Sequence, residues 1–327
     1  MYHFKMTNQI EILIKKYQDI VNQGLEEIPI PGFPKSLYEP LQYSLKTKGK
    51  RIRPILTLLI GEGFGVPIQK LLPAALALEI LHTYTLVHDD IMDNDEMRRG
   101  QLTVHKKWDV NTAILSGDAI NTLAFRILMD TDSPNLQKIG QVFTDGMMEI
   151  CEGQALDMEF ENRMNVTVDE YLTMITKKTA VLLAMSCKIG GLIAEVDDKM
   201  LEALETFAIK TGQAFQIQDD LLEILSDQES MGKSLGSDFA AGKKTYPMLL
   251  TLADMEEKEK KEFLTFLKNN SNIIEIRERF LKSGSIEKAK QTVNELITES
   301  KNSISVCPPK VRETLLGLLQ FLQKRKS

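Results

Sequence analysis

Apolar residues recur at intervals of three and four along nearly the whole 327-residue chain, and alternating β-branched runs are missing. That period turns one face of each segment toward a core and predicts an all-α protein. The spacing predicts helices over 7–25, 36–47, 53–63, 68–93, 110–130, 135–161, 168–193, 197–226, 244–253, 256–269, 272–282, 284–303 and 308–325. Breaks fall where Gly, Pro, Ser and Asp gather, at "IPIPGFP", "GEGFGVP", "DTDSPN", "KIGG" and "SMGKSLGSDFAAGKK". None is long enough to link two domains, so the expectation is a single helical domain over 1–327. No Asn-Gly or Asp-Gly pair stands between two alternating runs, so no two-residue hairpin is signalled.

Two of these helices end in carboxylates. After the apolar run "ALALEILHTYTLV" comes "HDDIMDNDEMRRG", residues 88–100, and "FQIQDDLLEIL" covers 215–225. Asp89 and Asp93 are four apart, as are Asp219 and Glu223, so each pair shares one helix face, with Asp90 and Asp220 flanking. Like charges at that spacing repel by a few tenths of a kcal/mol and call for cations or solvent, about as expected of a solvated helix end. A matched second cluster favours cations. Carboxylates without nearby thiolates suit a hard metal, and Mg²⁺ in particular is held by one or two carboxylates, waters and substrate phosphates. Basic groups recur beside the breaks: "KGKRIRP" at 48–54, Arg98 and Arg99, "KKT" at 177–179, Lys233 and "GKKT" at 242–245. Arg forks and Lys point charges together suit a diphosphate.

Composition narrows the rest. With 43% hydrophobic and 26% charged residues the chain is ordinary for a globular protein, and a net charge of −6 gives no reason to expect nucleic acid or an anionic membrane as partner. Any phosphate site must be built locally. Cys151, Cys187 and Cys307 are widely spaced in apolar segments, which suits reduced core thiols and a cytoplasmic compartment. The N-terminus lacks the pattern of a secretory signal. The apolar windows 52–60, 73–87 and 179–194 are short or broken by Glu79, His82 or Lys188, so no transmembrane segment is expected.

The ordered set "GKRIRP", "LHTYTLVHDDIMD", "RRGQLTVH", "GDAI", "EGQALDMEF", "KKTAVLL", "FQIQDDLLE", "MGKSLGSD" and "GKKTYP", spread over roughly 45–250, resembles the trans-isoprenyl diphosphate synthases, the polyprenyl synthetase family. The resemblance implies the isoprenoid-synthase helical bundle with a central cavity, a homodimer and Mg²⁺ ions, three per site. It implies that Asp89, Asp93 and Asp219 ligate the metal, supported by Asp90, Asp220 and Glu223. It places Arg98, Lys178, Thr179, Gln216, Lys233 and Lys243 around the allylic diphosphate, with Gln154 and Asp157 nearby. Lys50, Arg53, His82 and Arg99 match the positions that hold isopentenyl diphosphate. Glu223 departs from the Asp common there, and Lys48 from a common Gly. The C-terminal "QKRKS" resembles the basic tail by which some relatives close over substrate, although a charged tail is as readily solvated surface.

The implied reaction ionises an allylic diphosphate, adds the isopentenyl double bond to the cation and loses a proton to the departing diphosphate. Water must be kept out, which gives the apolar helix a purpose. Tyr84 and Thr85, one turn before Asp89, look down the implied cavity. An aromatic at Tyr84 beside a small Thr85 resembles geranylgeranyl synthases, so the expected product is C20 with C15 second, and Leu81 or Leu78 is the alternative floor. A terpene cyclase would leave Lys50, Arg53 and His82 without purpose. A phosphohydrolase using His88 and Asp89 would not need the second cluster. A regulatory subunit of a two-part synthase would be expected to have lost aspartates that stand here.

Overall fold

The computed structural model describes residues 2–225, 243–269 and 272–323, with side chains from Ile10 onward and that of Ile273 excepted. The fold is all-α. Two compact units emerge from the packing: Met1–Phe143 with Met185–Leu201 and Cys307–Phe321, and Thr144–Ala184 with Glu202–Val306 and Leu322–Ser327.

The first unit contains α1 (Tyr2–Glu26), α2 (Lys35–Leu45), α3 (Ile52–Gly63), α4 (Ile68–Met92), α5 (Val104–Lys107) and α6 (Val110–Leu128). The middle of helix α4, from Leu71 to Leu81, is apolar nearly all round, as a stretch enclosed by core must be. Its residues Leu71, Ala74, Ala75, Ala77, Leu78, Ile80 and Leu81 are fully buried, and it packs on α3 and α6. Among the described residues it alone is long and apolar enough to cross a membrane, but that apolar surface is used as core. Asp109 starts α6 by accepting the Thr112 amide at 2.9 Å.

Between α4 and α5 lies an element that the periodicity did not predict. Strands β1 (Met97–Arg98) and β2 (Gln101–Leu102) pair antiparallel, with Met97 opposite Leu102 and Arg98 opposite Gln101. Both turn residues have positive φ, 52° at Arg99 and 77° at Gly100, the mirror-image turn that suits a two-residue hairpin. Arginine stands where Asn or Asp is usual, so the dipeptide signal was absent.

The second unit holds the rest of α7 (Leu136–Asn162), then α8 (Val168–Ile175) and most of α10 (Asp198–Leu225). Helices Tyr246–Ala253, Glu257–Asn269, Ile273–Ser283 and Ser285–Ser303 follow. Its core gathers Phe160, Tyr171, Phe207, Tyr246, Phe263 and Phe280. Helix α8 opens with a capping box in which Thr167 and Glu170 each receive the other's main-chain N–H. The helix expected over 168–193 is interrupted: residues Thr176–Ala180 form a π turn between α8 and α9 (Val181–Ile193). Cys187 and Cys307 are buried, but Cys151 is exposed rather than in a core. Lys233 and residues 324–327 of the basic tail lie outside the described residues.

Candidate active site

In the first unit the last turn of α4 carries the first acidic cluster. Asp89 and Asp93 are partly buried, whereas Asp90 is buried. Arg98 forms an ion pair with Asp90 through Nε and reaches Asp95 through Nη2 at 3.1 Å. The β-hairpin therefore folds back on the helix it follows. Burial pushes the Asp90 carboxyl up, against the opposing pull of Arg98. Asp90 is thus an anchor for Arg98 rather than a carboxylate turned to solvent.

About two helix turns earlier, His82 faces a group of arginines. Arg53 Nη1 lies 3.1 Å from His82 Nε2, and since guanidinium can only donate, Nε2 accepts and the imidazole is neutral. Burial first, then Arg53, Arg99, Arg98 and Arg51, hold the His82 pKa well below its ordinary value. Arg53 itself is lowered to about 10 by burial and by Arg99, with Glu79 opposing. Its Nε is buried with no hydrogen-bond partner among the described residues. Arg99 donates to the Lys48 carbonyl at 3.1 Å, and burial likewise lowers its pKa. Lys50, which directly precedes Arg51 in the chain, is exposed.

Beneath this set is a buried ion pair that sequence reasoning missed. Arg51 Nη1 meets Glu79 Oε1 at 2.6 Å, with side chains 5% and 4% exposed, and Arg51 also holds Asn22 and the Thr47 carbonyl. Glu79 thus compensates Arg51 but leaves Arg53 and Arg99 in excess. The excess of guanidinium groups suits an anion cradle, in which a phosphate would supply the missing negative charge.

In the second unit α10 presents the second cluster in the same way. Asp219 and Glu223 are partly buried and Asp220 is buried. The Tyr171 hydroxyl donates to Asp220, as do the Tyr246 amide at 2.8 Å and Gln216 Nε2 at 3.4 Å. Burial dominates over these donors and pushes the Asp220 carboxyl up to about 7. In each Asp-Asp pair, then, the second residue is a buried anchor and the first stands with the acid four residues on.

The π turn carries Lys178 and Thr179. Lys178 pairs with Asp157 on α7 at 2.6 Å, and Thr179 donates to Gln216 on α10 at 3.2 Å. Gln213 holds Thr176 at 2.8 Å. Such a bulge needs close neighbours, and two glycines supply the room. A Cβ on Gly153 would lie 2.3 Å from the Lys178 nitrogen, and one on Gly212 would lie 2.6 Å from the Ala180 Cβ. Beside Gly153, Gln154 is buried with neither amide atom hydrogen-bonded among the described residues. Lys243 is partly buried, and Lys244 reaches the Glu161 carbonyl at 3.5 Å. Wide-gap π turns cluster at functional sites, and this one bears two of the predicted phosphate contacts.

Among the described residues no three acidic, histidine or cysteine side chains converge on one point. The donors on offer for a cation, Asp89 and Asp93 in the first unit and Asp219 and Glu223 in the second, are hard carboxylate oxygens of the kind Mg²⁺ takes together with waters and phosphate oxygens.

The polyprenyl synthetase family model matches residues 34–282. The chain belongs to the polyprenyl synthetase family. It is 39% identical over 323 residues to the geranylgeranyl pyrophosphate synthase of Geoglobus acetivorans, covering 97% of this chain and 99% of that one. It is 36% identical over 318 residues to a short chain isoprenyl diphosphate synthase of Methanothermobacter thermautotrophicus, covering 96% and 98%. The crystal structure of geranylgeranyl pyrophosphate synthetase from Pyrococcus horikoshii superposes with a TM-score of 0.89 at 34% identity over 100% of both chains. Polyprenyl synthetases are prenyltransferases, and this chain is one of them.

Proposed function

We propose that the chain condenses isopentenyl diphosphate with a short allylic diphosphate and stops mainly at geranylgeranyl diphosphate, C20. The observation that carries this reading is the cradle of Arg53, neutral His82 and Arg99, whose nearby buried acids, Glu79 and Asp90, are already paired with Arg51 and Arg98. A synthase of this kind needs a second diphosphate site for a substrate whose diphosphate does not leave, and such a cradle needs no metal. Lys50 completes it. Lys178, Thr179, Gln216, Arg98, Lys233 and Lys243 receive the allylic diphosphate, with Asp157 and Gln154 setting the lysine and the wall beside it. Asp89, Asp93 and Asp219 bind Mg²⁺, with Glu223 in support and Asp90 and Asp220 as anchors. Mg²⁺ bound there stabilises the charge that develops on the leaving diphosphate.

The apolar face of α4 excludes water from the allylic cation. The isopentenyl double bond attacks that cation, and the proton passes to the departed diphosphate, so no side chain serves as base. Tyr84, half-buried one turn before Asp89, closes the cavity floor. The C20 length is supported by the names of the Geoglobus and Pyrococcus proteins. Exposed Val110, Ile114 and Leu115 on α6 leave an apolar face that a second copy of the chain would cover, in the cytoplasm. The test is to incubate purified protein with Mg²⁺, isopentenyl diphosphate and dimethylallyl, geranyl or farnesyl diphosphate in turn, and to size the products by mass spectrometry. A C15 end product would keep the reaction and change the length. No consumption of isopentenyl diphosphate with any primer would overturn the reading.

A further inference from the structure

Tyr84 does not stand alone. His88 follows it by four residues on α4, and the two rings lie 4.7 Å apart, tilted by 51°. The other edge of the imidazole meets α6. A Cβ built on Gly117 would lie 2.1 Å from His88 Nε2 and 2.4 Å from its Cδ2, so the ring occupies the notch that the missing side chain leaves. His88 Nε2 is buried with no hydrogen-bond partner among the described residues. A buried polar atom without a partner calls for an explanation, and at its Nε2 edge the ring is seated by shape among the described residues. Gly117 is itself buried. The contact order is thus α6 backbone, imidazole, phenol.

We propose that His88 and Gly117 are specificity-determining residues for prenyl chain length, acting as the stop against which the Tyr84 ring rests. The proposal rests on the reading of Tyr84 as the cavity floor. Close-packed interiors transmit small displacements instead of absorbing them. Loss of the imidazole removes one contact that holds the Tyr84 ring toward the end of the growing chain, and filling the notch drives the imidazole toward Tyr84. The two changes therefore move product length in opposite directions. Because the atom that an added methyl meets is the far end of a side chain and not backbone, the ring yields before α6 does.

The experiment sizes products from His88→Ala, His88→Phe, Gly117→Ala, Tyr84→Ala and the His88→Ala/Tyr84→Ala double variant, with isopentenyl diphosphate in excess. Thermal unfolding of each variant is recorded alongside. His88→Ala is expected to raise the share of products longer than those of the wild type several-fold, and Gly117→Ala to raise the share of shorter ones. His88→Phe, which keeps a flat ring in the notch, is expected to restore the wild-type distribution. In the Tyr84→Ala background His88→Ala should change nothing further, because its effect passes through Tyr84. A wild-type distribution from folded, active His88→Ala, while Tyr84→Ala shifts it, would sink the proposal and leave the floor in place. An unchanged distribution from Tyr84→Ala would remove the floor and the proposal together. Should Gly117→Ala fail to fold, the Ala and Phe variants at His88 decide the matter.

Discussion

The hydroxyl of Tyr171 donates to the carboxylate of Asp220 inside the second unit, and the Tyr246 main-chain amide donates to the same oxygen. One side chain on α8 thus fixes the acid next to Asp219. Tyr171→Phe leaves a buried carboxyl short of one donor, and the expected loss is about 1–3 kcal/mol of stability. A lower urea midpoint at unchanged slope would show it. An unchanged midpoint would mean that the hydroxyl contributes nothing.

Glu79 stands under the anion cradle as the partner of Arg51. Glu79→Ala strands a guanidinium that is almost fully enclosed, and removing one member of such a pair costs about 3–5 kcal/mol. Glu79→Gln keeps an acceptor and should cost less. Calorimetry or urea unfolding of the two variants gives the order, and equal losses would argue against the charge.

Acid should weaken the fold at His82. The pKa of this imidazole is held well below 6.5, so the unfolded chain takes up a proton near that pH which the folded chain refuses. The contribution is complete above about pH 6.5 and declines as pH falls toward the depressed folded value. Going from neutral to mildly acidic buffer, the wild type should lose more stability than His82→Gln does. Parallel pH profiles of the two proteins would contradict this.

At Gly153 the neighbour is main chain, since the Lys178 nitrogen lies 2.3 Å from the point where a Cβ would stand. Gly153→Ala cannot be absorbed by a rotamer change, and overpacking of this kind costs about 1–3 kcal/mol. It should also displace Lys178 from Asp157. A lower melting temperature together with a raised KM for the allylic substrate is the expected pair of readings.

Thiol accessibility separates the cysteines. Cys151 is exposed, whereas burial raises the thiols of Cys187 and Cys307, the latter to about 11. A thiol reagent should titrate one cysteine in the folded protein and the remaining two only in denaturant. Rapid reaction of all three without denaturant would overturn that assignment.

Most helix positions were legible because period-three-and-four burial writes itself into the residues. The stretch 68–93 appears as α4, Ile68–Met92, and 110–130 as α6, Val110–Leu128. The π turn at Thr176–Ala180 was hidden, since one wide turn within an apolar run barely disturbs the period. The glycines that leave room for it, Gly153 and Gly212, lie far off in sequence. The acids were visible as clusters, but their division into anchors and outward groups was not. Asp90 and Asp89 are alike in residue type, and burial together with the Arg98 ion pair sets Asp90 apart. Asp220 is set apart from Asp219 by burial and by donors distant in sequence, Tyr171 49 residues before it and the Tyr246 amide 26 residues after it. Glu79 looked like an interruption of an apolar run because its partner, Arg51, sits 28 residues earlier.

The six residues Met97–Leu102 have a consequence for how such a protein can be altered. Arg98 sits in a ladder position tied to α4, and Arg99 in a left-handed turn position tied to the Lys48 carbonyl. Insertion or deletion of a single residue would exchange the directions of the two guanidinium groups rather than merely loosen them. Loop-length drift is therefore closed to this segment, and anyone grafting a different anion specificity onto the scaffold would have to replace the hairpin as one cassette.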